Sequence, residues 1–183
     1  MTLQQVLAGN NIPEDIYVII EIPAHSSPIK YEIDKETGVV FVDRFISTPM
    51  FYPCNYGYIN NTLSLDGDAI DVLVPTPYPL LIGSVINCKP IGMLDMIDEE
   101  GEDYKIIAVP NNKISNQYHL IQDIDQCPTF LREQICYFFQ HYKDLTANKW
   151  VTIREWKNAD SAKTEILNAY QRSIIKNKRH QLK

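Results

Sequence analysis

Apolar residues along this chain either alternate with polar ones or run almost unbroken, in short segments that stop at turn residues. Ile16-Tyr17-Val18-Ile19-Ile20-Glu21-Ile22 ends at Pro23, and Ile29-Lys30-Tyr31-Glu32-Ile33 ends at a turn running from Asp34 to Gly38. Val39-Val40-Phe41-Val42-Asp43-Arg44 follows as the hairpin partner of that second run. Further β-rich runs cover 69–74, 84–93 and 104–109, the last closed by Pro110. Many short strands punctuated by Pro and Gly predict a barrel or sandwich rather than a doubly wound sheet. After Cys127 the period changes. Leu131, Ile135, Phe138 and Tyr142 recur at helical spacing, and Pro128 suits a first turn, so 129–143 is predicted as an amphipathic helix. A second helix is predicted over 159–175, with Asn158 as its cap and Ile166, Ala169, Tyr170 and Ser173 on one side.

The 183 residues suit one domain spanning 1–183, with a β-rich core over about 14–125 and a helical region over about 128–176. A hydrophobic share of 45% is enough for an ordinary core. The net charge of -6 gives no general attraction to nucleic acid or anionic lipid, so an anionic ligand needs a local arrangement of cations or metal. The basic tail from Lys176 reads as a solvated helix end that complements the helix dipole. The opening Met1-Thr2-Leu3-Gln4-Gln5 lacks the basic and apolar regions of a secretion signal, and Pro75, Pro77 and Pro79 break the longest uncharged stretch. No membrane partner is expected. Cys54, Cys88, Cys127 and Cys136 form no C-x-x-C pair and read as reduced thiols of a cytoplasmic protein.

The most informative stretch is Asp66-Gly67-Asp68-Ala69-Ile70-Asp71. On an extended segment Asp66 and Asp68 project to one side, with Gly67 allowing close backbone approach. Three carboxylates in six residues raise one another's pKa unless a cation neutralises them. Hard oxygen donors suit Mg²⁺ or Mn²⁺, and no His or Cys stands nearby to favour zinc. A second acidic group, Asp98-Glu99-Glu100-Gly101-Glu102-Asp103, precedes Lys105. Glu21 and Glu32 interrupt apolar strands, where a neutral residue is the ordinary choice. Any one acidic turn alone reads as a solvated loop. The difference lies in the cations and phenols among the same strands: Lys30, Arg44, Tyr52, Tyr56, and Tyr142 with Lys143 at the end of the first helix. Arg, Lys and Tyr hydroxyls are groups that hold phosphate oxygens, so metal-assisted phosphoryl transfer is predicted.

These residues carry a resemblance. The chain resembles the family I soluble inorganic pyrophosphatases in their bacterial form, through Pro13-Glu14-Asp15-Ile16-Tyr17, Ile29 to Lys35, Val42-Asp43-Arg44, Met50-Phe51-Tyr52-Pro53-Cys54-Asn55-Tyr56-Gly57-Tyr58, the D-x-D-x-x-D signature and His141-Tyr142-Lys143-Asp144-Leu145. It departs at Ala69, where the family usually has Pro or Glu. The resemblance implies a mainly β, closed five-stranded OB-like barrel with flanking α-helices. It implies hydrolysis of pyrophosphate to two orthophosphates by in-line attack of a metal-bridging hydroxide. It further implies that Asp66, Asp71 and Asp103 hold tightly bound metals, with Asp71 bridging two, and that Asp98 joins Asp103 for metals arriving with substrate. Asp68 would be the general base. Glu21 and Glu32 would act on metal through water, Lys30, Arg44, Tyr56, Tyr142 and Lys143 would bind phosphate, and Tyr52 and Lys105 would support them. The cofactor implied is several Mg²⁺, with Mn²⁺ or Zn²⁺ able to stand in. The assembly implied is a homohexamer, a dimer of trimers, for which Phe138, Phe139 and His141 offer contact surface; a second family histidine is replaced by Tyr137.

Two other readings meet obstacles. An EF-hand loop needs Gly at its sixth position and Glu at its twelfth, where this chain has Asp71 and Pro77. A nucleic-acid-binding barrel stacking bases on Tyr52, Tyr56 and Tyr58 needs a basic groove, but that segment leads into Asp66, Asp68 and Asp71. His25, His119, His141 and His180 lack partners at ligand spacing and read as surface or interface residues.

Overall fold

The computed structural model describes residues 3–181, without the side chains of Gln4 and of 179–181. Its strands are β1 (Ile16–Ile22), β2 (Ile29–Ile33), β3 (Val40–Phe45), β4 (Asn55–Tyr58), β5 (Asp71–Val74), β6 (Val85–Asp98), β7 (Gly101–Pro110) and β8 (Val151–Asn158). Its helices are α1 (Thr129–His141) and α2 (Ala159–Gln181). Five strands pair in a ring, β1-β4-β5-β7-β6 and back to β1, while β8 adds to the outer side of β6. All the ring pairings are antiparallel except β5 with β7. The long β6 closes the ring because its first part pairs with β1 while the rest of its length pairs with β7. β2 and β3 form a separate hairpin.

The near-continuous apolar runs follow from burial on both faces. Alternation sends Ile106 and Ala108 of β7 into a cluster with Ala162, Ile166 and Ala169 of α2. Ile107 and Val109 go to the opposite cluster, with Ile135, Phe138 and Phe139 of α1. The same split holds in β5, where Val72 and Val74 face the α2 cluster and Leu73 faces the α1 cluster. Period two then places Asp71 on the side of Leu73, and Asp103 and Lys105 on the side of Ile107. The ring wall is thus apolar along much of its α1 face and charged at one end. Gly57 is required where β4 crosses β1, since a Cβ there would lie 2.0 Å from the Ile19 carbonyl oxygen.

Several expectations change at this level. Pro128 is the residue before α1, with extended ψ of 129°, rather than part of its first turn. Phe138 and Phe139 are both core residues, 2% and 1% exposed, and so are not assembly surface; the aromatic side chains that α1 leaves exposed are Phe130 and Tyr137. The helix ends at His141, two residues earlier than predicted, whereas α2 runs on to Gln181. Asn158 does cap α2, its side-chain oxygen accepting the Ser161 N–H at 3.0 Å. Strands β4 and β8 emerge in segments with no predicted strand. No helix of the described residues is long and apolar enough to cross a membrane.

Candidate active site

One cleft of about 530 Å³ opens at the charged end of the ring. It is lined by Glu21 from β1, Lys30 and Glu32 from β2, Arg44 from β3, Tyr52, Tyr56 from β4, Asp66 and Asp68 from the following turn, and Asp71 from β5. Asp98 ends β6, Asp103 and Lys105 lie on β7, and Tyr142 and Lys143 follow α1. Every residue singled out from sequence for chemistry therefore reaches the same cleft.

Lys105 organises its floor. The ammonium lies 2.5 Å from Asp71 and 2.6 Å from Asp103, and donates to the Tyr56 hydroxyl at 3.3 Å. Burial works against this ammonium, but the charges of Asp103 and Asp71 more than offset it and raise its pKa well above the usual lysine value. Burial likewise raises the carboxyls of Asp66 and Asp103, and the charge of Asp71 adds to both. Asp98 adds to Asp103 as well. The four carboxylates are electrostatic neighbours, although among the described residues no three potential ligands are already gathered around one point.

The extended path expected for Asp66 to Asp68 is instead a turn. The Asp68 N–H donates to the Asp66 carboxylate at 3.0 Å, and Gly67 is needed for its φ of +98° rather than for close approach, since nothing crowds its Cβ position. Asp68 consequently stands at the rim, its side chain 85% exposed, 3.7 Å from the Lys35 ammonium.

Phosphate-binding candidates come as anchored cations. Lys30 contacts Glu32 at 2.5 Å and Asp43 at 3.1 Å, and Asp43 also accepts from Arg44 at 2.8 Å. Lys143 reaches Asp98 at 2.8 Å and Glu99 at 3.1 Å. Burial raises the Tyr142 phenol, and burial followed by Asp71 raises that of Tyr56 well above the ordinary value, so both keep their protons as donors. Glu21 accepts the Ile33 N–H at 2.8 Å, yet burial pushes its carboxyl up to about 7.

Sequence reasoning missed several residues that line the cleft. Asp43 and Glu99 were visible as neighbours of Arg44 and Asp98, and Lys35 as part of the β2 motif; Lys149 carried no local signal, because its partner Glu99 is remote in the chain. Partial burial opposes the Glu99 carboxylate, but bonds from Lys149 and Lys143 hold it down to about 2. None of the three histidines with described side chains lines the cleft. His25 packs on Phe51, His119 bonds the Asn116 carbonyl, His141 pairs with Asp144, and the His180 side chain lies outside the described residues.

The sequence model of the family described as inorganic pyrophosphatase matches residues 18–173. The inorganic pyrophosphatase of Vibrio parahaemolyticus is 61% identical over 173 residues, covering 94% of this chain and 98% of its own length. Among solved structures, an inorganic phosphatase from Anaplasma phagocytophilum superposes with a TM-score of 0.90 at 43% identity, covering 92% of this chain and 99% of that one. An inorganic pyrophosphatase from Coxiella burnetii gives 0.88 at 45% identity, covering 91% and 99%. With that coverage, and with the family's acidic signature and its cations meeting in one cleft, the chain belongs to the family I inorganic pyrophosphatases of bacterial type, hydrolases that act on pyrophosphate.

Proposed function

We propose that this chain hydrolyses pyrophosphate to two orthophosphates with divalent cations, Mg²⁺ foremost and Mn²⁺ or Zn²⁺ able to replace it, held by Asp66, Asp71, Asp98 and Asp103. The observation that carries this reading is the Asp71–Lys105–Asp103 cluster, two carboxylates that already share one positive charge beside Asp66. Carboxylates far outnumber cationic side chains on the cleft wall, an arrangement that repels a polyanion until hard cations are bound. Bound there, such cations would offset substrate charge and lower the pKa of water.

The remaining steps fall to the chain's own side chains. Asp68 accepts the proton of the attacking water, and its position at the rim lets it pass that proton to bulk solvent. Lys30, Arg44 and Lys143 supply charge to phosphate oxygens, while Tyr56 and Tyr142 supply hydroxyl donors. Glu21 and Glu32 would act on bound cations through water. Tyr52, ring to ring with Tyr56 at 4.9 Å, and Lys105 hold this wall in place. Attack in line with the leaving phosphate needs no covalent phosphoenzyme.

The five-strand ring supports reading the architecture as a closed OB-like barrel. Exposed apolar side chains, Phe41, Val42 and Phe45 on β3 with Phe130 and Tyr137 on α1, support a homohexamer built as a dimer of trimers. Light scattering that reports a monomer at micromolar concentration refutes the assembly. The reading also keeps the cytoplasmic location, with no nucleic-acid or membrane partner. The decisive experiment is phosphate release from pyrophosphate: two phosphates per substrate with Mg²⁺ and none in chelator are expected, and full activity in chelator, or none with Mg²⁺, overturns the proposal.

A further inference from the structure

Glu99 lies in the turn between β6 and β7, one residue beyond Asp98, with its side chain 16% exposed. Its Oε1 is 3.1 Å from the Lys143 ammonium and 2.6 Å from that of Lys149, and its Oε2 accepts the Trp150 N–H at 3.4 Å. One carboxylate thus ties down both ends of the segment between α1 and β8. Lys143 has a second partner, Asp98, at 2.8 Å. The two partners differ in one respect. Asp98 belongs to the set read above as cation ligands, so its oxygens would be taken up by a bound cation, whereas Glu99 is outside that set.

We propose that Glu99 is a positioning residue for the substrate-bound state, holding Lys143 in place on pyrophosphate once Asp98 has turned to a cation. This rests on the reading of Lys143 as a phosphate binder. The chemistry favours such a post. A lysine side chain has a long flexible stem whose rotamer freedom is lost on binding, and an ammonium fixed beforehand loses less. A bare carboxylate beside a polyanion repels it. Glu99 is offset by two ammonium groups, Lys143 at 3.1 Å and Lys149 at 2.6 Å, the second of which also meets Glu100 at 3.3 Å, so its charge does not face substrate uncompensated.

The test is a double-mutant cycle with the full-length protein, pyrophosphate and saturating Mg²⁺, in wild type, Glu99→Ala, Lys143→Ala and the double variant, with Glu99→Gln as an isosteric companion. Glu99→Ala is expected to raise KM about tenfold with kcat nearly unchanged, the signature of lost uniform binding, and Glu99→Gln to lie between it and wild type. In the Lys143→Ala background, Glu99→Ala should raise KM no further. A structural role alone would lower the urea midpoint and multiply the two KM effects. Multiplied effects, or a fall in kcat with KM unmoved, overturn the inference while leaving the pyrophosphatase reading intact. A wild type that releases no phosphate overturns both.

Discussion

Asp103 and Lys105 sit two positions apart on β7, face the same side of the strand, and close an ion pair of 2.6 Å that Asp71 joins from the parallel neighbour β5. Removing the buried cation from this trio leaves two partly buried carboxylates facing each other. Lys105→Met should therefore destabilise the protein by about 3–5 kcal/mol when cations are chelated. Mg²⁺ should restore much of the loss by taking the ammonium's place between the carboxylates. Urea unfolding in chelator and in Mg²⁺ measures both, and equal losses in the two conditions contradict the account.

Asp68 and Asp71 are chemically identical and differ in setting, one at the rim and one beside Lys105. Asp68→Asn should cost about 10²–10⁴-fold in rate while leaving cation affinity nearly unchanged. Asp71→Asn should weaken cation binding, and part of its lost activity should return at high Mg²⁺. Rescue of Asp68→Asn by added Mg²⁺, with weakened binding by titration, would show Asp68 to be another ligand instead of the base.

Ca²⁺ has a larger and looser coordination shell than Mg²⁺. It should occupy the acidic wall without fixing substrate and water in the productive arrangement, and so inhibit the Mg²⁺-supported reaction. Phosphate release at fixed Mg²⁺ with rising Ca²⁺ checks this; turnover supported equally by Ca²⁺ runs against it.

Glu21 is 8% exposed, and burial lifts its carboxyl from 4.5 to about 7. Between these values the unfolded chain has lost the proton while the folded protein retains it, so raising the pH favours unfolding across that window and has no further effect above it. Glu21→Gln keeps an oxygen for the Ile33 N–H and removes the titration. Measured without divalent cations, the variant should gain stability over wild type on going from pH 5 to pH 8, by on the order of 3 kcal/mol at most. A difference between the two proteins that stays constant with pH speaks against a buried, raised Glu21.

Much of the fold and all of the first list of site residues could be read locally. Short apolar runs bounded by turn residues name β1, β2 and β3, although β1 is buried along nearly its whole length and β3 is exposed throughout, and the helical spacing of Leu131, Ile135, Phe138 and Tyr142 names α1 because one side of that helix packs inward. Clustered like charge marks Asp66, Asp68 and Asp71, since such a cluster is costly without a counterion. Other features depend on what the chain meets after it folds. The segment Val151–Asn158 carries Arg154, Glu155 and Lys157, and becomes a strand because β6 offers it a free edge and Asp95 gives Arg154 and Lys157 a buried partner. Asn55–Tyr58 reads as an aromatic loop until β1 and β5 pair with it on both sides, which needs the missing side chain of Gly57. Whether Phe139 faces core or solvent follows from the wall it packs against, and periodicity around one helix does not contain that wall. The pairing of Glu99 with Lys143 and Lys149 joins residues more than forty positions apart. The sequence by itself determined most of the strands, both helices and which residue types can do the chemistry, because those follow from short-range periodicity and charge. Only the tertiary structure decided which carboxylate shares which cation and which stands in solvent, because those depend on long-range packing that no local pattern records.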